Sequence, residues 1–243
     1  MRFIIMHKTN DQWEAGAVPS QALIARVGKL IGELKKANVL LGAEGLRSSS
    51  QGVRLKFSEG RRTIINGPFK GEHELPSGFS ILRLDSMDEA IAWASRQAQS
   101  LGDVEMDIRP VTEPWDIGLV PKPEQLTTRR FMILRKATSV SEADAPLSPE
   151  GQAEMARLID EAERTGVHVA SATLRPSAKG RRYKNSRDGV SITDGPFTES
   201  KELIAGYVMV AAESLEEAER WALQYIDVVD ADEVDLREVE SIR

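Results

Sequence analysis

The sequence predicts an α+β protein in which one structural unit occurs twice along a chain of 243 residues. The triplet Gly67-Pro68-Phe69 returns as Gly195-Pro196-Phe197, and the same offset of 128 positions relates loops as well as apolar positions along most of the chain. Within each copy, segments of strand periodicity outnumber helical ones and the two kinds do not alternate singly. This pattern favours an α+β sheet over a parallel α/β sheet.

The first copy contains eight predicted helices and strands, and local signals mark several of their ends. Ser20 is a favourable N-cap before a segment with apolar side chains on one helical face. Ser86 and Glu89 have the spacing of a capping box at the start of a second helix. Residues 53–57 alternate apolar and basic side chains, as a strand with one buried face does. In chain order we predict a strand at 2–6, a helix at 21–37, a strand at 39–42, a hairpin at 53–57 and 62–65, a strand at 79–84, a helix from about 87 to 99 and a strand at 104–110.

The second copy repeats these elements, because the offset also holds for residues that end helices. The pair Ser86 and Glu89 returns as Ser214 and Glu217. A unit of this element order predicts a ferredoxin-like arrangement, and two of them predict tandem ferredoxin-like units packed as an internal pseudo-dimer. We place the first copy at residues 1–112, a proline-rich linker at 113–128 and the second copy at 129–243.

The composition limits the classes of function. The absence of cysteine excludes disulfides and thiolate chemistry, and the three histidines show no ligand spacing, so we expect neither a metal nor a cofactor. The net charge of −6 makes direct nucleic-acid binding an unfavourable interpretation. No apolar stretch approaches the roughly 18 residues of a membrane span, and the N-terminal apolar run is too short for a signal peptide. We therefore expect a cytoplasmic protein.

The loop that begins at Asp194 is the main candidate site. An aspartate before Gly-Pro is a good turn former, and Phe197 would anchor such a turn in the core. Alternatively, Asp194 is a general acid or base at the mouth of a cleft, kept ionised by Lys201. Phe197 and Glu202 are then candidate ligand contacts.

The first copy has a weaker version of this loop, with Asn66 in place of the aspartate and His73 in place of the lysine. These substitutions predict that the first copy is the structural half, although Asn66 and His73 remain candidate ligand contacts. An asparagine serves the turn equally well.

Arg47 and Arg175 occupy equivalent strand ends in the two copies. An arginine there is suited to hold a carboxylate or phosphate through two hydrogen bonds, or else it is solvated or paired with a nearby acid. A further basic run at 179–187, with Arg54 and its neighbours at equivalent positions, is interpreted as the solvated face of a hairpin.

The sequence resembles the YCII-related family, whose signature is an Asp-Gly-Pro-Phe loop. The resemblance rests on Asp194-Gly195-Pro196-Phe197, residues 198–202, Gly206-Tyr207 and the opening run 1–6. It implies a dimeric α/β-barrel, and it implies an association with extracytoplasmic-function sigma factors. Some members carry a His–Asp pair that suggests catalysis, but Arg47 and Arg175 stand where the histidine is often found.

Two functions follow as expectations. One is a small-ligand-binding or regulatory module, linked through a sigma factor to transcription. The alternative is a cofactor-free enzyme, a lyase or hydrolase that acts on a small carboxylated or aromatic substrate with Asp194 as its acid/base group. Further homodimerisation of the internal pseudo-dimer is left open.

Overall fold

The predicted helices and strands are present in the computed structural model, which describes residues 1–71, 74–197 and 203–242, with side chains through Glu240. The first copy contains β1 (Arg2–Lys8), α1 (Asp11–Glu14), α2 (Gln21–Lys36), β2 (Leu40–Gly45), β3 (Val53–Ser58), β4 (Arg61–Asn66), β5 (Pro76–Leu84), α3 (Met87–Leu101) and β6 (Val104–Pro110). The second contains β7 (Arg129–Lys136), α4 (Ser139–Glu142), α5 (Pro149–Arg164), β8 (His168–Leu174), β9 (Arg181–Ser186), β10 (Gly189–Asp194), β11 (Ile204–Ala211), α6 (Leu215–Val229) and β12 (Glu233–Ile242). The α+β class is confirmed.

The helix ends form for the reasons that the sequence indicates. The Ser20 hydroxyl accepts the backbone N–H of Leu23 at 3.1 Å, which satisfies one of the unpaired donors of the first turn of α2. At α3, the Ser86 hydroxyl accepts the N–H of Glu89 at 3.2 Å, and the Glu89 carboxylate accepts the N–H of Asp85 at 3.1 Å. Both α2 and α3 therefore begin directly after the serine that the sequence indicates as the N-cap.

The described chain divides into two compact units that are not the two sequence copies. The first unit combines residues 1–45 with residues 174–240, together with Gly71 and Glu74, and the second combines residues 46–70 with residues 75–173. Each unit thus takes a strand–helix–strand segment from one copy and the hairpin, fifth strand, helix and last strand from the other. The chain changes unit after Gly45 and after Thr173, which are equivalent positions of the repeat.

Each unit contains a six-stranded sheet with the same strand order. In the first unit the order is β2-β11-β1-β12-β9-β10. In the second it is β8-β5-β7-β6-β3-β4, the equivalent strands in the equivalent order. All of these pairings are antiparallel, so neighbouring strands can be far apart in the sequence.

One face of each sheet carries the long helices. In the first unit, Phe3 and Ile5 of β1 pack with Leu30 and Leu34 of α2 and with α6. In the second unit, Phe131 and Ile133 of β7 pack with α3 and α5. Because side chains alternate along a strand, Ile4, Met6 and Lys8 point to the opposite face of the first sheet, where they are also buried. Both faces of the central strands are therefore withdrawn from water.

The linker between the copies forms ion pairs with the second unit. Glu113 is 2% exposed, and its carboxylate accepts a hydrogen bond at 2.9 Å from Arg130 at the start of β7. Asp116 forms a further ion pair with Arg129. Among the described residues, the helices all fall short of the length and apolarity needed to cross a membrane.

Candidate functional site

The two Gly-Pro-Phe loops have the same construction. Each contains a cis Gly-Pro bond, and in each the N–H of the phenylalanine donates to a serine hydroxyl at 3.0 Å, Ser49 for Phe69 and Ser177 for Phe197. A Cβ at Gly195 would lie 1.8 Å from the carbonyl oxygen of Ser177, which only a glycine avoids. The loop sequence is therefore dictated by a close approach of two backbone segments.

Asp194 lies at the end of β10 directly opposite Arg181 of β9. Its carboxylate, 78% exposed, accepts a hydrogen bond from Nε of Arg181 at 2.9 Å. The same guanidinium donates to Glu219 of α6 at 2.7 Å, so Arg181 connects the hairpin to the helix. These hydrogen bonds from the guanidinium to the carboxylates of Asp194 and Glu219 raise the pKa of Arg181.

The first copy has none of the three residues Asp194, Arg181 and Glu219 at the equivalent positions. Val53 stands in the place of Arg181, opposite Asn66 rather than an aspartate. Ile91 stands in the place of Glu219. The change from Asp194 to Asn66 therefore accompanies the loss of the arginine on the opposite strand of the hairpin. The missing ion pair explains why an aspartate is not needed in the first copy, and no difference in catalytic role between the two loops has to be assumed.

The other candidate residues are dispersed. Arg175 is half-buried and pairs with Glu240 at 3.1 Å, whereas Nε of Arg47 donates to the Gln51 side chain at 3.4 Å. The phenyl ring of Phe197 is buried, with the guanidinium carbon of Arg182 4.5 Å from its centroid. The candidates Lys201, Glu202 and His73 lie outside the described residues.

Beside each loop the structure places a buried group of charges that we call the Lys–Asp–Arg triad. In the first unit it consists of Lys8, Arg182 and Asp235, which are 4%, 8% and 0% exposed. Nζ of Lys8 lies 2.9 Å from Asp235, and Arg182 donates two parallel hydrogen bonds to the same carboxylate at 2.6 and 2.9 Å. The carboxylate is thus neutralised by two cations.

The second unit contains the equivalent triad, with Lys136, Arg54 and Asp107. Arg54 donates to Asp107 at 2.7 and 2.9 Å, and Nζ of Lys136 lies 3.1 Å from it. The Arg54 guanidinium carbon lies 4.6 Å from the centroid of the Phe69 ring. Arg182 and Phe197 are arranged in the same way in the first unit. Each triad is therefore in contact with its Gly-Pro-Phe loop through a cation–π interaction.

The strand register assembles these charges. Asp235 of β12 lies opposite Arg182 of β9 on one side and opposite Met6 of β1 on the other. Lys8 follows Met6 by two residues, so it points to the same face as Asp235. The next residue on that face of β12, Arg237, donates to the carbonyl oxygen of Arg175.

The last strand of the second unit repeats this arrangement. Nε of Arg109 in β6 donates to the carbonyl oxygen of Arg47 at 2.9 Å, as Arg237 does to Arg175. Each last strand therefore carries the triad aspartate and an arginine that holds the candidate Arg47 or Arg175 backbone. The triad and the predicted arginine position belong to one continuous row of side chains.

An outer acidic residue extends each triad towards solvent. Glu233 pairs with Arg182 at 3.1 Å and with Lys184 at 3.2 Å. The equivalent contacts of the second unit are Glu105 with Arg54 at 3.3 Å and Glu105 with Lys56 at 2.9 Å. Each triad arginine is consequently held by two carboxylates.

The two triad aspartates differ in their acidity. Burial raises the pKa of Asp235, but Lys8 and Arg182 outweigh it and hold that pKa at about 2. Burial also raises the pKa of Asp107, and there the hydrogen bond from Arg54 offsets only part of the increase, so the pKa stays above its usual value. At neutral pH Asp235 is a fixed negative charge and a very weak proton acceptor.

The interpretation of the hairpins as solvated basic faces is wrong for Arg54 and Arg182. Both side chains are buried, because the two faces of β3 and β9 are covered at that point. The sequence held a signal for the triads: Lys8, Arg54 and Asp107 each recur with the same charge at the repeat offset. A charged side chain that recurs at the same strand position in both copies indicates a buried contact common to the two. This signal is stronger than the alternation of apolar and charged residues, which indicates exposure to solvent.

Within the described parts of the chain there is no cluster of His, Asp and Glu that would hold a metal ion. No curated protein and no solved structure matches the chain. A family model does match it twice, over residues 1–111 and over residues 130–241, which agrees with the repeat seen in the sequence. The chain belongs to the YCII-related domain family, of which it contains two tandem copies.

Proposed function

We propose that this protein is a small-ligand-binding module that recognises a molecule with a carboxylate or phosphate group at the Gly-Pro-Phe loops. The observation that supports it is the pair of matching Lys–Asp–Arg triads, each in contact with its loop. Buried ion pairs contribute little net stability, so their presence in both copies favours a functional role. Guanidinium and ammonium groups held in place by such contacts are suited to an acidic ligand.

In this proposal Arg47 and Arg175 make the first contact with the acidic group. Both are half-buried at the end of the row that starts at the triad, and Arg109 and Arg237 fix their backbones. Arg47 has no carboxylate partner within the described residues, so binding at the second unit requires no ion pair to break. Phe197, Asn66, His73 and Glu202 are proposed to shape the ligand's surroundings.

Binding is favoured over catalysis by the state of the carboxylates. A general base works best when its pKa lies near the operating pH, whereas the pKa of Asp235 is about 2. Asp194 is already engaged by Arg181. The alternative is a cofactor-free lyase or hydrolase with Asp194 as acid/base and Lys201 beside it, and the exposure of the Asp194 carboxylate supports this alternative.

The remaining proposals concern the setting of this activity. We propose a regulatory role linked to a sigma factor, in a cytoplasmic protein that does not bind nucleic acid directly. We also propose that the fold is a ferredoxin-like pseudo-dimer of the dimeric α/β-barrel type, which leaves homodimerisation as a further step. The equivalent strand orders of the two units support a common fold for each of them.

A thermal-shift titration with citrate and with phosphate tests the binding proposal. A ligand that binds only the folded state raises the stability by about 2.7 kcal/mol at 100 times its dissociation constant. We expect a concentration-dependent rise in Tm for the wild type and a smaller rise in Arg47→Ala and Arg175→Ala. Arg157→Ala, which removes an exposed arginine of α5, is the matched control and should respond as the wild type does.

Equal shifts in all four proteins, or none in the wild type, would contradict the binding proposal. The enzyme alternative makes a different prediction. In that case Asp194→Asn abolishes turnover of a small carboxylated substrate, while the free energy of unfolding falls by less than about 1 kcal/mol and the ligand-induced shift stays at its wild-type value.

A further inference from the structure

One position in the sheet differs in chemical kind between the two units. It is His7 in β1 of the first unit and Arg135 in β7 of the second. Both belong to the strand face that packs against the helices, because Ile5 and Ile133, two residues earlier, lie in the helix-covered cores. This is the sheet face opposite the triads.

In the first unit the position is occupied by a hydrogen-bonded pair of aromatic side chains. Nδ1 of His7 and the hydroxyl oxygen of Tyr225 in α6 are joined by a hydrogen bond of 2.8 Å. The two rings meet edge to face with centroids 5.5 Å apart. Tyr225 is buried, and its pKa is raised because burial disfavours the phenolate, so it stays a neutral hydroxyl.

In the second unit that partner is missing. Gln97 stands in the place of Tyr225, and its side-chain amide donates to the Ser80 hydroxyl at 3.0 Å. Gln97 and Ser80 therefore hydrogen-bond to each other. Arg135 places a guanidinium at this strand position instead of an imidazole.

Arg135 is 9% exposed, and its side chain crosses the neighbouring strand β5 at Gly78. A Cβ at Gly78 would lie 2.1 Å from Nη2 of Arg135, so only glycine leaves this path open. Nη2 then donates to the carbonyl oxygen of Ala172 in β8 at 3.2 Å. A guanidinium has five N–H donors, and this single neutral acceptor leaves most of them unused.

No carboxylate within the described ranges forms an ion pair with Arg135. Burial of the guanidinium lowers its pKa to about 10. A buried charge without a counter-charge is strongly unfavourable, and the usual remedies are a partner or a bound ion. The triad arginines, Arg54 and Arg182, have their carboxylates; Arg135 does not.

We propose that Arg135 is an anion-binding site of the second unit, which takes a small oxyanion, a phosphate or a carboxylate, at its unused guanidinium donors. The planar arrangement of those donors matches two oxygens of such a group. The site is distinct from the proposed ligand site, since it lies on the helix-covered face and has no counterpart at His7. The protein would thus have one such site and two Gly-Pro-Phe loops.

The test is a thermal-shift titration of the full chain with phosphate, and separately with formate, at constant ionic strength. Arg135→Met removes the charge and keeps the side-chain length. We expect this variant to melt no lower than the wild type without oxyanion, because an uncompensated buried charge is gone. With phosphate or formate, the wild type should gain Tm, and the apparent affinity of the variant should be about tenfold weaker or more.

A second variant, Arg135→His with Gln97→Tyr, recreates the pair of the first unit. It should fold like the wild type and show the same loss of oxyanion response. Arg47→Ala and Arg175→Ala should keep the Arg135-dependent part of the shift, which separates this site from the proposed function. A Tm deficit of Arg135→Met that is the same at every oxyanion concentration would show a purely structural arginine and overturn the proposal, as would the absence of any shift in the wild type.

Discussion

Asp235→Asn tests whether the triad is a set of fixed charges. The substitution keeps the shape of the side chain but leaves Lys8 and Arg182 buried without their shared carboxylate. Removing one partner of a buried ion pair typically lowers the free energy of unfolding by about 3–5 kcal/mol. For a chain of this length, roughly 2–4 °C of Tm corresponds to each kcal/mol, so we expect a decrease of about 6–20 °C.

The pH dependence makes the test sharper. The pKa of Asp235 is about 2 in the folded protein, against about 3.9 for an unfolded aspartate. A lowered folded-state pKa stabilises the protein above the unfolded value and loses that effect as the pH falls towards the folded value. Asp235 should therefore contribute roughly 2–3 kcal/mol at neutral pH, lost between about pH 5 and pH 1.

Urea denaturation followed by circular dichroism across this pH range measures the effect. Wild type and Asp235→Asn should converge as the pH falls. Asp107→Asn is the matched control: burial raises the pKa of Asp107, so protonation of this group does not remove stability at acid pH, and the acid-dependent loss should persist in that variant. An Asp235→Asn variant that loses under about 1 kcal/mol, or keeps the full acid-dependent loss, would refute the reasoning.

Two further substitutions test the loop and its hairpin. Asp194→Asn should lower the free energy of unfolding by less than about 1 kcal/mol, since the Asp194–Arg181 pair is near the surface. A double-mutant cycle with Arg181→Val should show a coupling energy of the same size. A much larger coupling energy would mean that Asp194 is part of a buried network. Gly195→Ala should lower the free energy of unfolding by about 1–3 kcal/mol or more, because the added methyl group meets the Ser177 carbonyl oxygen. Gly32→Ala, at an open position in α2, should raise it by about 0.5–1 kcal/mol. Similar changes for the two variants in urea denaturation would contradict the close approach at Gly195.

Local structure could be predicted from the sequence because its causes are local. Ser20 and Ser86 begin helices through bonds to residues three positions later, and periodicity marks the strands between them. Asn38, just after α2, has a left-handed φ of 56°, which asparagine tolerates and which suits the end of a helix. The repeat supports these predictions independently, because each signal occurs twice.

The exchange of segments between copies could not be predicted in this way. Strand β1 meets β11 and β12, which belong to the other copy, although β5 and β6 offer closely similar sequences. Both pairings satisfy the same periodicity, so the pattern of apolar residues does not distinguish them. The choice depends on contacts between residues about 200 positions apart.

The candidate site was predicted only in part. The Gly-Pro-Phe loops, Arg47 and Arg175 lie near the row of charges that ends at the triad, but the triad itself was missed. Arg54 and Arg182 lie at positions where the alternating pattern predicts exposed side chains. Their burial is possible because the last strand of each unit places an aspartate beside them, Asp107 for Arg54 and Asp235 for Arg182.

The change of unit after Gly45 has a consequence for synthesis on the ribosome. Residues 1–45 cannot complete their sheet until β9, β11 and β12 have emerged, and the whole of residues 46–173 is translated first. At typical translation rates this delay is on the order of ten seconds. During that interval the apolar strand β1, whose Ile4 and Ile5 are fully covered in the finished protein, has no native partner. The second unit, by contrast, is complete once β8 has emerged, so we expect it to fold first and the N-terminal segment to wait for the C-terminal one.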